Sequence, residues 1–204
     1  MPHWSLNNPS YRTKIWNPIT RRFILDNKRN RVSISRQVQR FINQNENSLA
    51  LISCSKQKSF KDDQQTLVAE DAYCSSLFNK SADWAKNRDM RFAILSAKYG
   101  LTNRDKAIKD YDLTLNELNR EKRQEWANGV LNDLKIDAIE NGLPEKVFLL
   151  AGSNYSSELK PLLEKEGIEV VQPLMGMQIG ERLSYLTLDN RWFDWYESNE
   201  RRNR

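Results

Sequence analysis

The chain has 204 residues and a formal net charge of +5, long enough to bury one core, with no apolar run of the about 18 residues that would suggest a bilayer span. Its only histidine is His3 and its only cysteines are Cys54 and Cys74. That excludes Ser-His-Asp and Cys-His nucleophile pairs, an ordinary zinc site and a disulfide framework. Acid–base work therefore falls to Asp, Glu, Lys or Tyr, and neither a metal nor a cofactor is expected. The opening Pro2-His3-Trp4 does not read as a signal peptide, and with two isolated thiols a cytoplasmic location is expected.

Residues 1–46 are rich in Asn and Arg and read as a basic N-terminal extension. Nine Lys/Arg stand against Asp26 and Glu46, a local charge of +7 that leaves −2 for the remainder. A basic segment on a near-neutral body suits a polyanion, and Arg12, Lys14, Arg21, Arg22, Lys28, Arg29 and Arg31 are the candidate nucleic-acid contacts. The plain alternative is a solvated extension. Ile15-Trp16-Asn17-Pro18-Ile19-Thr20-Arg21-Arg22 reads as a turn, with Pro18 fixing φ, Asn17 suited to the turn and Thr20 able to bond back to the backbone. Ile34, Val38, Phe41 and Ile42 have the spacing of one helical face, with Ser33 as its expected N-cap.

From residue 47 to residue 190 the pattern is that of an α/β domain. Leu49–Cys54, Phe92–Ser96, Val147–Ala151 and Ile168–Val171 are almost continuous apolar runs, as expected of strands buried on both faces. Helical stretches lie between them at 71–88, 115–141, 154–166 and 177–187. The second follows a capping box, Thr114 with Glu117, and stops at Gly142; Pro161 is expected to kink or restart the third. The order predicts a three-layer α/β/α sandwich around a mainly parallel sheet of four strands or slightly more. Residues 191–204 read as a C-terminal tail.

Ligands of open α/β sheets bind beyond the carboxyl ends of the strands. Here the four strands run into Ser53-Cys54-Ser55-Lys56-Gln57-Lys58, into Ser96-Ala97-Lys98-Tyr99-Gly100-Leu101, into Gly152-Ser153-Asn154-Tyr155, and into Pro173-Leu174-Met175-Gly176-Met177-Gln178-Ile179-Gly180. Hydroxyls, lysines and glycines suit an anionic ligand, and a helix starting near Gly176 would offer free amides to a phosphate. There is no Walker loop and no Gly-x-Gly-x-x-Gly. Cys54 reads as a small residue at a strand end, or alternatively as a nucleophile activated by Lys56. Asp112 could orient water or stabilise a developing cation, or it could simply cap a helix or pair with a lysine; Asp110 reads as a solvated loop residue. Lys98 could clamp a phosphate, polarise a leaving base or form a Schiff base. Asp71 opens the first helix beside Tyr73, where the helix dipole alone would favour an acid.

In this order, Leu51-Ile52-Ser53-Cys54-Ser55-Lys56, Ala72-Tyr73-Cys74, Ser96-Ala97-Lys98-Tyr99-Gly100-Leu101 and Tyr111-Asp112-Leu113-Thr114-Leu115 resemble a bacterial and phage family filed as a domain of unknown function. The resemblance continues through Gly152 with Tyr155 and through Pro173-Leu174 with Gly176 and Gly180. That family is similar, more distantly, to the uracil-DNA glycosylase-like fold, including a "Cys-Ser" domain of archaeal tRNA-modifying enzymes. The resemblance implies work on nucleic-acid bases, DNA more than RNA. The aspartate–proline–tyrosine motif and late histidine of uracil-type enzymes are absent, so Asp112 or Asp71 would have to replace them.

The leading expectation is a DNA glycosylase that excises a modified base, in phage defence or elsewhere. Asp112, Lys98 and Asp71 would be its catalytic groups. Its pocket would be lined by Ser53, Cys54, Ser55, Lys56, Lys58, Tyr73, Tyr99, Gly100, Tyr111, Gly152, Tyr155, Gly176 and Gln178. A nucleotide or base transferase using the same pocket would need a co-substrate. A non-catalytic nucleic-acid-binding module would keep binding without Asp112 and Lys98.

Overall fold

The computed structural model describes residues 14–62 and 64–200. Four runs expected as strands form β3 (Ser48–Ser53), β5 (Arg91–Ser96), β8 (Lys146–Leu150) and β9 (Glu169–Val171), and they pair in parallel. A fifth strand, β6 (Gly100–Asn103), turns back antiparallel on β5, giving the order β6-β5-β3-β8-β9. The sheet is therefore mixed, not mainly parallel. The hairpin escapes a periodicity reading because β6 offers only Leu101 as a large apolar residue and is shorter than a hydrophobic pattern can reveal.

Alternate residues of the central strands go to opposite faces, as the pleat requires. Ala50, Ile52, Phe92, Ile94, Phe148 and Leu150 pack against α3 (Ser76–Lys86) and α6 (Ile179–Glu200). Leu49, Leu51, Ala93, Leu95, Val147 and Leu149 pack against α4 (Arg120–Asn141) and α5 (Ser153–Lys165). Both faces are thus covered, and the α/β class holds. Beside the sheet, β4 (Thr66–Val68) and β7 (Ala107–Lys109) form a small antiparallel ladder, with the one-turn α2 (Ala69–Ala72) following β4.

Several helix boundaries differ from the sequence reading. The stretch 71–88 is two helices, because Tyr73 leaves the helix extended and Ser75 caps α3 by accepting from the Phe78 amide. The Thr114–Glu117 box makes only a 3-10 turn (Leu115–Glu117); Asn119 caps α4 through the Lys122 amide. Pro161 lies within α5, which runs unbroken from Ser153 to Lys165.

The N-terminal region folds onto the body. β1 (Lys14–Asn17) and β2 (Arg22–Leu25) form a hairpin about the expected turn, and its cap is Asn17, whose Oδ1 accepts from the amides of Ile19 and Thr20, rather than Thr20. α1 (Lys28–Asn43) begins five residues before Ser33, at an Asn27 cap, because polar Lys28–Arg31 hide its first turn from an apolar pattern. Its Ile34 and Val38 are buried against Trp192 and Phe193 of α6. Residues 191–200, read as a tail, continue α6. No described helix is long and apolar enough to cross a membrane.

One buried carboxylate ties these layers together. Asp189 is fully buried; its Oδ1 accepts from Trp16 Nε1 at 2.8 Å, and its Oδ2 accepts from Trp84 Nε1 at 2.9 Å and Arg88 Nη2 at 2.5 Å. Removing one partner of a buried pair strands the other charge without water. Asp189→Ala is therefore expected to cost about 3–5 kcal/mol in urea unfolding. The paired change Arg88→Met with Asp189→Leu should recover much of that loss. A loss under about 1 kcal/mol for Asp189→Ala, in the range of an exposed pair, would contradict this account.

Candidate functional site

The crossovers from β3 and from β8 leave on opposite faces, through α3 and α5 respectively. Their carboxyl ends therefore diverge at the switch point of the sheet, where open α/β sheets form their ligand crevice. Cys54 follows β3 and Tyr155 lies in the first turn of α5. The Cys54 thiol and Tyr155 hydroxyl meet across this crevice at 3.4 Å. Tyr155 is set by Trp126 of α4, whose ring meets it edge-on at 5.3 Å and whose Nε1 donates to the Ser96 carbonyl at 2.8 Å.

Ser96 ends β5, and its hydroxyl organises the next loop. Its Oγ accepts from the amides of Lys98 and Tyr99, which folds Ser96-Ala97-Lys98-Tyr99-Gly100 into the β5–β6 turn. Gly100 serves this turn: its φ is +67°, and a Cβ there would lie 2.9 Å from an Asp133 carboxylate oxygen. The same Ser96 Oγ lies 2.8 Å from the Tyr111 hydroxyl, which is also 2.8 Å from the Tyr73 hydroxyl. Three chain segments distant in sequence thus share one chain of hydroxyls.

Lys58 closes the far side. Its side chain is nearly buried, donates to the Tyr111 carbonyl, lies over the Tyr111 ring and pairs with Asp110 at 3.2 Å. The Asp110 carboxylate also accepts from the Tyr111 amide at 2.7 Å. Lys98 is exposed, with its ammonium 5.2 Å and 5.6 Å from the centres of the Tyr99 and Tyr111 rings. Tyr99 meets Tyr111 edge-on and is pinned through its hydroxyl to the Lys109 backbone.

Cys54, Lys58, Tyr73, Lys98, Tyr99, Gly100, Tyr111 and Tyr155 therefore sit together or build the loops that do, with Ser53 at the end of β3. Ser55 turns its hydroxyl onto the Gln57 carbonyl. Lys56 and Asp112 stand at the solvent margin, 4.0 Å apart with side chains 81% and 86% exposed. Asp71 is exposed on α2 and shares no hydrogen bond or ion pair with the cluster among the described residues. Gly152 precedes α5 with open space where a Cβ would stand. Gly176 has φ +77° in the loop before α6. Of the amides near the start of α6, expected to be free for a phosphate, that of Gln178 donates to the Glu181 carboxylate at 2.7 Å.

The basic N-terminal set divides. Arg21 donates to the Pro173 carbonyl and stacks over Tyr185, while Arg31 pairs with Asp26. Both are used within the fold. Lys14, Arg22, Lys28 and Arg29 are exposed, and Arg12 lies outside the described residues. Ser96, Asp110 and Trp126 were missing from the sequence-derived site. Ser96 was legible as the last strand residue before a turn, and Asp110 as the neighbour of Tyr111. Trp126 lies on a helix with nothing to distinguish it from core.

Burial pushes the Tyr73 hydroxyl up to about 12, and burial, reinforced by the neighbouring Cys54, also raises Tyr111 and Tyr155. These three phenols stay neutral donors through the working pH range. Tyr185, away from the cluster, is also raised by burial. Raised folded-state values mean that the unfolded chain loses these protons first, so their stabilisation is complete below about pH 10 and lost as pH climbs through the folded values. An ultraviolet tyrosinate titration is expected to leave Tyr73, Tyr111, Tyr155 and Tyr185, four of the seven tyrosines, un-ionised until the protein unfolds. Titration of all seven near pH 10 in the folded protein would contradict the buried cluster.

Comparison with known proteins finds one relation. Residues 49–188, from β3 into α6, match the model of a family of unknown function, DUF6884; the match excludes the hairpin and α1. No curated protein and no solved structure matches. With the match spanning more than half of its length, the chain belongs to the family of unknown function DUF6884.

Proposed function

We propose that the chain is a DNA N-glycosylase that excises a modified base. The observation carrying this reading is the meeting of Cys54, Lys58, Tyr73, Ser96, Tyr111 and Tyr155 where β3, β5 and β8 leave the sheet. A base turned out of a duplex needs ring faces to lie against and neutral donors for its polar edge. Phenols held neutral by burial, beside a serine hydroxyl, supply that chemistry. The resemblance of the loop motifs to the uracil-DNA glycosylase-like fold supports the same reading.

Hydrolysis breaks the bond from C1′ to the base nitrogen, and the base leaves with the bonding pair. Water forms the new C1′–O bond and gives one proton to a carboxylate, and that proton passes to the departing base anion, which restores the carboxylate. Lys98, exposed beside Tyr99 and Tyr111, favours departure of a base carrying negative charge. Asp112 stabilises the cationic sugar or holds water, and Asp110, fixed by Lys58, is the better-positioned carboxylate for the same task. Asp71, on α2, falls outside this arrangement. Lys56 meets flanking phosphate. Use in defence against phage follows if the excised base is one that phage DNA carries.

A second reading, a non-catalytic nucleic-acid-binding module, is favoured by the solvent exposure of Asp112. Mass spectrometry of bases released from DNAs of different modification, phage genomes included, separates the two when run with an abasic-site assay. Release of one modified base with matching abasic sites is expected, reduced about 100-fold or more by Asp110→Asn or Lys98→Ala. Binding without release from any of these DNAs would sink the glycosylase reading, and unchanged release would remove the substituted residue from the mechanism.

A further inference from the structure

The sixteen residues of α1 include Lys28, Arg29, Arg31, Arg36 and Arg40 and no acid. Arg31 is neutralised by Asp26. Lys28, Arg29, Arg36 and Arg40 are all exposed and make no ion pair among the described residues, whereas Arg88, Arg91, Arg104 and Arg123 each have a carboxylate partner. These four cations line one open depression together with Val32, Ser33 and Gln37.

Three of them are spaced as a line, with Lys28 beside its first member. At 3.6 residues per turn, Arg29, Arg36 and Arg40 fall within an arc of about 40°, on the side of the helix away from Ile34 and Val38. Those two are buried on Trp192 and Phe193, so the basic line is held outward on a fixed helix. Arg29 and Arg40 are about 16 Å apart along the axis at 1.5 Å per residue. The major groove of B-DNA is about 12 Å wide. A helix laid across it would set Lys28 and Arg29 on the phosphates of one strand and Arg36 and Arg40 on those of the other.

We infer that the outer face of α1 is a phosphate-backbone contact for duplex DNA, separate from the crevice at the sheet edge. The inference rests on the reading of the chain as acting on DNA, and it names the surface that holds the duplex while a base is presented to the crevice. It adds Arg36 and Arg40 to the basic set and removes Arg21 and Arg31, whose charge is used within the fold. Such contacts carry affinity without sequence preference.

The test is the salt dependence of binding of the full chain to an unmodified duplex oligonucleotide. Each phosphate contact contributes about 0.9 to the slope of log affinity on log salt, so Arg29→Gln with Arg36→Gln and Arg40→Gln should flatten it by about 2.7. The corresponding triple Lys variant should keep the slope, and Arg91→Gln, whose partner is Asp137, should leave it unchanged. An unchanged slope in a triple Gln variant of normal melting temperature overturns the inference. So does tighter binding of the wild type to single-stranded RNA, or to phosphatidylserine vesicles, than to the duplex. Base release measured in parallel at low salt separates the two claims. Release with no change of slope sinks only the α1 contact, and a flattened slope with no release sinks only the glycosylase reading.

Discussion

Asp189 is the constraint around which the layers are arranged. A carboxylate with no exposure survives only if its oxygens are fully partnered, and here the partners come from β1, α3 and the turn that follows α3. The Arg88 guanidinium that neutralises it lies 4.1 Å from the centre of the Trp84 ring and 4.7 Å from that of Phe193, so the cation is also enclosed by aromatic faces. Any other packing of the hairpin or of α6 would leave a buried charge or indole donor unpartnered. The geometry of the N-terminal region therefore follows from a residue in the last helix.

That arrangement reaches the carboxyl edge of the sheet. With Trp16 anchored, the hairpin directs Arg21 to the Pro173 carbonyl and the Tyr185 ring, just past β9. The loop leading to α6 is thereby held from outside. On the other side of the edge, the Ser96, Tyr73 and Tyr111 hydroxyls join the ends of β5, α2 and the loop after β7. Buried hydroxyl networks are specific because each member left unpaired costs desolvation, and this one sets three loops in register with a crevice that the sheet topology opens. On the proposed reading, the crevice would take the base and the basic face of α1 would hold the backbone.

The parallel strands were legible as nearly unbroken apolar runs: β3, β5 and β8 are mostly buried on both faces, while β9 is a partly buried edge with Glu169 exposed. The carboxyl edge was read as the candidate site from the parallel strand runs and from the loops of Ser, Lys, Tyr and Gly that follow them. Antiparallel β6 was not legible, since a four-residue edge strand has too few side chains to show a period. Nor was the break at Tyr73, where a buried hydroxyl bonded to Tyr111 outweighs helix propensity. Asp112 looked the more useful carboxylate in sequence, but the ordering of Asp110 depends on Lys58, fifty-two positions away, and no local pattern carries that. Likewise the C-terminal stretch looked like a polar tail until Trp192 and Phe193 met α1.

The most direct test of the crevice as the ligand site is hydrogen–deuterium exchange of the full chain with and without a duplex carrying an abasic-site analogue. Slowed exchange is expected in residues 53–58, 96–100, 110–112 and 152–155, which meet at the carboxyl edge of the sheet. Saturating DNA binding with exchange in those four segments unchanged would contradict the account, wherever else on the surface protection fell.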